Sequence, residues 1–340
     1  MGNLWGSLMR LRRNAYKHGF FKSQKAPLPI ISVGNITVGG NGKTPMCLYL
    51  ADKLHALGYQ TAILSRGYGR KKQSRDPILV SRGQGPLVPW ELSGDEPLLL
   101  AKESPGFIIV SKNRLIGAKL AWEMGADLAI LDDGFQHLSL QNDVNILMLK
   151  ADNHLGNGYV LPAGPLREPP EALEDADLTV AVGHPASALR HFHPIFYAQL
   201  LAQRFRDLAS GEFYALDFLQ NRRFAAFCGL GQPFRFKESL LNLSLTPVAF
   251  QAYPDHFVYQ KKDLQFLRNL YHFCKLDYLV TTSKDAVKLE GLRVPTLILE
   301  ARFELDNPEL FLETILSHLK LSPPKAPSDE APPQRRPPIQ

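Results

Sequence analysis

The segment NITVGGNGKTP, at residues 35–45, restricts the fold of this chain more than any other stretch. The apolar run PLPIISVG precedes it, and MCLYLADKLHALG follows with apolar residues at helical spacing. A buried strand, a glycine-rich loop and a helix in this order are typical of the phosphate-binding loop of α/β proteins. The usual pattern G-x-x-x-x-G-K-[ST] is incomplete here, because Thr37 stands in place of the first glycine. The alternative is a glycine turn that precedes Lys-Thr by coincidence.

A phosphate-binding loop needs small residues because backbone N–H groups must approach the anion closely. The glycines provide that room, Lys43 would reach the β- and γ-phosphates, and the hydroxyl of Thr44 would bind Mg²⁺. We therefore predict that ATP or GTP binds with Mg²⁺ at the loop residues Thr37, Val38, Gly39, Gly40, Asn41, Gly42, Lys43 and Thr44.

Strands and helices alternate along the chain. TAILSRGYG, FIIVS, DLAILDD and VNILML all have the composition of strands, and helical segments separate several of them. This order predicts an α/β fold, a P-loop NTPase-like α/β/α sandwich with a mostly parallel sheet plus a second, smaller α/β domain. Ligands of such folds bind at the carboxyl ends of the strands.

Changes in composition suggest four regions. Residues 1–25 are predicted to form a basic amphipathic helix on a membrane surface, and residues 26–218 the domain that carries the phosphate-binding loop. Residues 219–321 are predicted to form the smaller α/β domain, which closes over the cleft. Seven prolines in residues 322–340 predict a disordered tail, because this segment has almost nothing to bury.

The amino terminus carries much of the excess positive charge of this 340-residue chain, whose formal net charge is +6. Its helical wheel places leucines on one side and most cations on the other, which is typical of helices that lie on anionic leaflets. Packing on the protein's own core and contact with nucleic acid are the alternatives, and no nucleic-acid motif supports the second. The apolar side holds Leu4, Leu8, Leu11 and Ala15, the opposite side holds Arg10, Arg13 and Lys17, and Arg12 falls on the apolar side.

Several classes of protein are disfavoured. The three cysteines are scattered and form no C-x-x-C pair, so a disulfide scaffold or a zinc ribbon is not expected. The sequence contains no run of about 20 apolar residues, so no membrane-spanning helix is predicted. The amino terminus also lacks the apolar stretch and the small-residue cleavage site of a signal peptide.

Two acidic pairs follow or precede predicted elements. Asp132 and Asp133 end the strand LAILDD, where a Walker B carboxylate would reach the Mg²⁺ shell. The alternative is that Asp-Asp-Gly simply forms the turn after the strand. Asp95 and Glu96 begin a helix, where they either cap it or supply a general base for a hydroxyl. His256 would matter for that base if the domains bring it to Asp95.

Further polar segments follow strands or lie in loops, namely SRGYGR, SKNR and PAGPLREP. Arginines near a transferring phosphoryl group stabilise the charge that develops there, whereas most surface arginines have no such role. Gln136 and His137 in GFQH either orient water or substrate or hydrogen-bond the turn.

Eight motifs occur together and in order: GNITVGGNGKTP, LSRGYGR, GDEP, LDDGFQH, LPAGPLREP, AFCGLGQP, DHF and TTSKDAVKL. In this combination, from about residue 28 to 320, the sequence resembles the tetraacyldisaccharide 4′-kinase family of lipid A biosynthesis. The resemblance implies a membrane-associated kinase with two α/β/α domains. Such a kinase transfers the γ-phosphate of ATP to the 4′-hydroxyl of tetraacyldisaccharide 1-phosphate. It forms lipid IVA at the cytoplasmic face of the bacterial inner membrane, with no obligate protein partner.

The resemblance also implies roles for individual residues. Asp95 matches the catalytic base, His256 the residue that pairs with it, and Glu96 a residue near the metal. Ser283 departs from the family pattern, which usually has glutamate before the lysine of TTSKDAVKL. The remaining matches are Lys43 and Thr44 for ATP and Mg²⁺, Asp132 and Asp133 for the acidic pair near Mg²⁺, Arg114 and Arg167 for arginines of the cleft, and Tyr68 for a residue near the nucleotide.

Two rival functions explain part of the sequence. A P-loop kinase or ligase with a soluble acceptor would explain the loop and LAILDD, but not the basic amino terminus. A nucleotide-switched membrane-binding protein would need no acceptor chemistry. Replacing Asp95 separates the second rival from the kinase, because only the kinase would lose turnover.

Overall fold

The computed structural model describes residues 2–71, 74–152, 155–183 and 194–321. The predicted disordered tail, 322–340, lies outside the described residues. The helices of the described part are α1 Gly2–Lys17, α2 Lys43–Ala56, α3 Trp90–Ser93, α4 Asp95–Glu103, α5 Arg114–Glu123, α6 Pro233–Asn242, α7 Lys261–Phe273, α8 Ser283–Ala286 and α9 Pro308–Leu319, with a 3₁₀ turn at Pro170–Asp175.

The strands of the same ranges are β1 Ile30–Gly34, β2 Thr61–Ser65, β3 Ile78–Ser81, β4 Phe107–Val110, β5 Leu128–Asp132, β6 Val144–Lys150, β7 Leu178–Val182, β8 Ile195–Asp207, β9 Phe213–Tyr214, β10 Phe224–Cys228, β11 Ala249–Ala252, β12 Tyr278–Thr282 and β13 Thr296–Leu305.

These strands form one sheet in the order β11-β10-β12-β13-β8-β7-β6-β1-β5-β2-β4-β3, and β9 pairs with β8. Strand β1 lies between β5 and β6, parallel to both. Antiparallel pairing occurs between β8 and β13, β3 and β4, and β8 and β9. The mostly parallel α/β sheet predicted from the sequence is therefore confirmed.

Alternate residues of the central strands face two separate cores. Ile31 packs in a core with α2, α4 and α9, which includes Leu50 and Phe311. Its neighbour Ile30 packs on the opposite side, in a core with Ala118 of α5. Because successive side chains of a strand point to opposite faces, strands covered on both faces are apolar throughout. Strand β1 is accordingly buried at every position.

The two halves of the sheet meet at the long antiparallel ribbon of β8 and β13, whose register runs from Leu297–Asp207 to Leu305–Ala198. Strands β10, β11 and β12 lie on one side of this ribbon, and β7 leads to the P-loop strands on the other. The division into domains at residues 218 and 219 stays a prediction.

Helix α1 ends at Lys17, eight residues before the end predicted for the amino-terminal helix. Arg10 contacts Glu171 at 3.0 Å, and Arg13 contacts the buried Glu168 at 2.9 Å. Arg13 also pairs with Asp175. Two of the three cations on the basic side of α1 therefore contact the protein, which favours the alternative that this side packs on the protein's own core.

The apolar side of α1 is turned outward. Leu8 is 51% exposed and Leu11 is 67% exposed, and Phe20 and Phe21 are exposed just after the helix. Arg12, which the helical wheel places among apolar residues, donates to the backbone oxygen of Gln136 at 3.1 Å. No helix of the described residues has the length and apolarity needed to cross a membrane.

Candidate active site

The predicted phosphate loop lies between β1 and α2, at the carboxyl end of a central strand. Helix α2 begins at Lys43, so the first N–H groups of the helix point toward the loop. Gly42 has a φ of 80°, and a Cβ at this position would lie 2.5 Å from the ring of Phe303 on β13. Both the backbone conformation and the close ring require glycine here.

Thr37, the residue in place of the first glycine, has a structural role. Its Oγ1 accepts a hydrogen bond of 2.5 Å from the side-chain amide of Asn41, which closes the loop on itself. The loop is also held from outside, because the N–H of Val38 donates to the oxygen of Pro165 at 2.8 Å. The N–H of Arg167 donates to the oxygen of Ile36 at 2.6 Å. At the position where the usual pattern has a flexible glycine, this loop is therefore fixed by the hydroxyl of Thr37.

Lys43 is held by two neighbours at this site. Its Nζ donates to Oδ1 of Asn35 at 3.1 Å and lies 3.3 Å from Oδ1 of Asp133. Arg167 donates to both oxygens of the same aspartate, at 2.9 and 3.1 Å. Burial would raise the pKa of Asp133, but the charges of Lys43 and Arg167 outweigh it and lower the pKa. Asp133 also has a left-handed φ of 58°, a strained backbone of the kind found at functional sites.

Asp132, at the end of β5, is buried, and no ion pair of the described residues engages its carboxylate. Burial, together with the carboxylates of Glu96 and Asp133, raises its pKa to about 7. A divalent cation would relieve this repulsion, so the donor set fits Mg²⁺. The described residues contain no group of three or more His, Cys, Asp or Glu side chains arranged around a metal. Mg²⁺ usually binds through one or two carboxylates together with nucleotide phosphates, so a protein cage is not required.

Arg114, which the sequence assigned to the cleft, is buried and supports the chain after β5. Its guanidinium donates to the backbone oxygen of Ser111 at 2.6 Å and to that of Asp132 at 3.2 Å. Burial lowers its pKa to about 10. These bonds tie the ends of β4 and β5 together.

Asp95 and His256 meet across the site. Nδ1 of His256 lies 3.0 Å from Oδ2 of Asp95, although 161 residues separate them in the chain. His256 has a left-handed φ of 57°, which makes it the second strained non-glycine residue of the site. Burial would raise the pKa of Asp95, but the hydrogen bond and charge of His256, with the charges of Lys284 and Lys288, hold it at about 2. The same hydrogen bond raises the pKa of His256.

The loop before Asp95 packs tightly against the SRGYGR segment. Gly94 has a φ of 93°, and a Cβ there would lie 2.6 Å from the backbone oxygen of Tyr68. Tyr68 is 71% exposed, and its ring centroid lies 5.9 Å from that of His256. Tyr68 and Gly94, which are 26 residues apart in the sequence, therefore bring two motifs into backbone contact.

Two lysines of TTSKDAVKL also lie at the site. They belong to the smaller half of the sheet, which holds β10, β11 and β12. Lys284 lies 3.8 Å from Glu96 and 3.1 Å from Asp255, and its Nζ is 3.5 Å from Nε2 of His256. An ammonium can only donate, so in neutral His256 the Nε2 atom accepts and the Nδ1–H donates to Asp95. Sequence reasoning missed this role of Lys284 and the contact of Lys288 with Asp95. Their position in a motif of several charges gave the only signal.

Gln136 and His137, for which two roles stayed open, bond to nearby backbone or side-chain groups. Gln136 donates to the oxygen of Asn35 at 2.7 Å. The ring of His137 lies 3.3 Å from the hydroxyl of Ser139, and burial lowers its pKa to about 4. These contacts favour the role of bonding the turn.

A cavity of about 460 Å³ opens beside the phosphate loop, between α1 and the 159–168 segment. Its walls combine apolar side chains with two guanidinium groups, one amide and one carboxylate. An amphipathic anion is the class of ligand that such walls suit. The residues concerned are Trp5, Met9, Val38 and Leu161, with Arg12, Arg167, Gln136 and Glu168, the last of which is paired with Arg13.

The sequence was compared with protein families and with solved structures. The model of the family described as tetraacyldisaccharide-1-P 4′-kinase matches residues 1–320. A tetraacyldisaccharide 4′-kinase of Syntrophus aciditrophicus is 38% identical over 335 residues, which cover 91% of this chain and 89% of that protein. One of Geobacter metallireducens is 41% identical, with 83% and 84% covered. The crystal structure of the "apo" form of LpxK from Aquifex aeolicus in complex with ATP has a TM-score of 0.78. It is 34% identical, and 94% of this chain and 97% of that chain are covered.

Proposed function

The chain belongs to the tetraacyldisaccharide 4′-kinase family, and from this membership we propose which of its residues carry the reaction. The enzyme is an ATP-dependent kinase of lipid A biosynthesis, which phosphorylates the 4′-hydroxyl of tetraacyldisaccharide 1-phosphate. The contact between Asp95 and His256 beside the phosphate loop carries the assignment of residues.

Asp95 is the proposed proton acceptor. The oxygen of the 4′-hydroxyl bonds to the γ-phosphorus, the bond from that phosphorus to the bridging oxygen breaks, and ADP leaves. The hydroxyl proton passes to Asp95, whose pKa of about 2 keeps it ionised and ready to accept a hydrogen bond. His256 orients the carboxylate through Oδ2.

The phosphate loop binds and neutralises the phosphates. Mg²⁺ supplies charge neutralisation and fixes the geometry of the phosphates when the nucleotide is bound. Lys43 must exchange Asp133 for phosphate, and Arg167 remains to balance the aspartate. Of loop residues 37–44, those other than Val38, whose N–H is bonded to Pro165, contribute backbone N–H groups, and Thr44 contributes a hydroxyl for the metal.

The remaining acidic and basic residues have supporting roles in this proposal. Asp132 and Glu96 are the carboxylates proposed for Mg²⁺, because burial and the charges of Glu96 and Asp133 outweigh those of Lys43 and Arg114 and raise the pKa of Asp132. Asp133 belongs to the same acidic pair but is engaged by Lys43 and Arg167. Arg114 positions the acidic pair through the backbone oxygen of Asp132. Tyr68 is assigned to the nucleotide side of His256, and its exposed ring beside the imidazole supports this role.

The acceptor lipid is proposed to enter through the cavity beside α1. Its apolar wall suits the start of acyl chains, and Arg12 and Arg167 suit a phosphate or sugar oxygens. The outward leucines of α1 then rest in the membrane, at the cytoplasmic face of the bacterial inner membrane. The membrane surface is the proposed partner, with no nucleic acid and no obligate protein partner.

A transfer experiment tests this function. We expect that wild-type protein moves label from γ-labelled ATP to tetraacyldisaccharide 1-phosphate in mixed micelles, and that the label resides on the 4′ oxygen. A substrate in which the 4′-hydroxyl is replaced by hydrogen is the control and should take up no label. Hydrolysis of ATP without labelled lipid would contradict the proposal and favour a nucleotide-switched binding protein.

Membrane binding through α1 gives a second prediction. The double variant Leu8→Ser/Leu11→Ser should bind vesicles at least about 10-fold more weakly, since each buried leucine contributes about 1.5–3 kcal/mol. Co-sedimentation with vesicles measures this binding. Because Arg10 and Arg13 already contact carboxylates of the protein, binding should change little between zwitterionic and anionic vesicles or with added salt.

The matched control is Phe266→Ser/Phe273→Ser, which removes two exposed apolar residues from one face of α7. This control should bind vesicles as the wild type does. Loss of binding in high salt with the leucines intact would show that charge, and not the apolar side of α1, attaches the protein.

A further inference from the structure

Lys288 lies two residues after α8, in the smaller half of the sheet, with its side chain only 2% exposed. Its Nζ lies 3.6 Å from Oδ2 of Asp95 and 3.9 Å from Oδ1 of Asp285. Within the described ranges, this ammonium has no hydrogen-bond partner. A buried ammonium without hydrogen bonds is costly, because the desolvation of an ion amounts to several kcal/mol. A role beyond packing therefore has to be considered.

Asp285 does not account for the lysine. Its carboxylate accepts from the N–H of Gly229 at 3.0 Å, from the hydroxyl of Tyr259 at 3.0 Å and from the hydroxyl of Thr282 at 2.7 Å. These three donors come from the loop after β10, from the chain before α7 and from the end of β12. Asp285 therefore anchors its own half of the molecule without Lys288.

Asp95 uses its two oxygens differently. Oδ1 accepts from the N–H of Glu96 at 3.0 Å, in the first turn of α4. Oδ2 faces Nδ1 of His256 at 3.0 Å and Nζ of Lys288 at 3.6 Å. Both groups on Oδ2 come from the smaller half, whereas Asp95 itself belongs to the P-loop half. Oδ1 keeps a lone pair for a further donor, because a carboxylate oxygen accepts more than one hydrogen bond.

We propose that Lys288 is a positioning residue for Asp95. Together with His256, Lys288 holds Oδ2 of Asp95, so that Oδ1 of Asp95 is the oxygen turned to the acceptor hydroxyl. This inference rests on the proposed function, in which Asp95 takes the hydroxyl proton. After the transfer Asp95 is neutral, and Asp285 at 3.9 Å remains as the negative neighbour of the ammonium. The lysine thus keeps a carboxylate beside it throughout the reaction.

Lys284 differs from Lys288 in its surroundings. It is more exposed and contacts Asp255 and Glu96, so its charge is shared among several partners. Lys288 is enclosed between two carboxylates, and its removal changes the forces on Asp95 directly. The orientation of a reacting group can be worth about 10²-fold for a displacement of 1 Å.

The test is a double-mutant cycle between Lys288→Met and Asp95→Asn in the full chain, assayed with γ-labelled ATP and tetraacyldisaccharide 1-phosphate. Lys288→Met alone should lower kcat about 10- to 100-fold with an unchanged KM for ATP. In the Asp95→Asn background the same change should lower kcat less than about 3-fold, because a residue that acts through Asp95 has little left to affect. Lys102→Met, which removes an exposed lysine of α4, is the control and should keep wild-type kcat.

Each outcome of the cycle decides the proposal. Wild-type kcat in Lys288→Met, or losses that multiply in the double variant, would overturn it. If Lys288→Met fails to bind ATP, Lys288→Gln repeats the cycle with a polar group in the same space, under the same criteria. Full kcat in Asp95→Asn alone would remove the proton acceptor, and the role of Lys288 falls with it.

Discussion

Asp95→Asn should lower kcat by about 10²- to 10⁴-fold, the range that general-base catalysis contributes. Asparagine keeps the shape of the side chain and the acceptor for the N–H of Glu96, but it cannot take up the hydroxyl proton. The KM for ATP should stay within about 2-fold of the wild-type value, because the change removes no interaction that binds ATP equally in the ground state and in the transition state. Steady-state transfer of label to the lipid, with ATP varied at saturating lipid, measures both constants.

The pH profile adds a check on this assignment. The pKa of Asp95 is about 2 in the folded protein, below its value in the unfolded chain. Its ionised form therefore stabilises the fold at neutral pH, and this contribution declines as the pH falls below 3.8 and is gone below about 2. We expect no loss of kcat from protonation of Asp95 near neutral pH. Asp255→Asn, which alters the neighbouring carboxylate, is the matched control and should retain most of the turnover.

Lys43→Met should reduce kcat by about 10²- to 10³-fold, as removal of one fixed donor to a developing charge does. The KM for ATP should rise as well, since the ammonium contacts phosphate in the ground state also. Methionine matches the length of lysine, so the loop should keep its hydrogen bond between Thr37 and Asn41. Transfer kinetics and a direct measurement of ATP binding would separate the two effects.

The control for Lys43→Met is Lys53→Met, an exposed lysine near the end of the same helix. It should show wild-type kinetics. Normal turnover in Lys43→Met would mean that Asp133 keeps this lysine during the reaction, as the distance of 3.3 Å allows. The assignment of the loop as the γ-phosphate site would then be wrong.

The central features of the site could be predicted because they depend on local sequence. A strand, a glycine loop and a helix fold in the same way wherever they occur, so the place of Lys43 follows from the sequence alone. The pairing of Asp95 with His256 was expected from family resemblance and conditional on the arrangement of the two halves. Their separation of 161 residues is bridged by tertiary packing, which no local pattern encodes.

Several strands escaped prediction for identifiable reasons. Strand β8 has thirteen residues, but exposed and buried positions do not alternate regularly along it. Its sequence therefore lacks both the period of a half-buried strand and the apolar run of a covered one. The edge strands β3 and β11 have four residues each and are only partly buried, so their patterns are too short to recognise.

The orientation of α1 also could not be found from its own sequence. A helical wheel separates the arginines from the leucines, but it does not say which side meets the protein. Glu168 and Glu171, which decide the matter, lie more than 150 residues away. Likewise, the hydroxyl of Thr37 finds its amide partner only once the loop has folded.

The unbroken sheet has a mechanical consequence for turnover. Asp95 and Lys288 stand on opposite sides of the β8–β13 ribbon, which is hydrogen-bonded along its length except for a register shift between Glu300 and Ala301. A change in the spacing of the two halves must therefore twist a stiff ribbon, with least resistance where the ladder is interrupted. We therefore expect any change in the spacing of the two halves during turnover to concentrate at the interruption between Glu300 and Ala301.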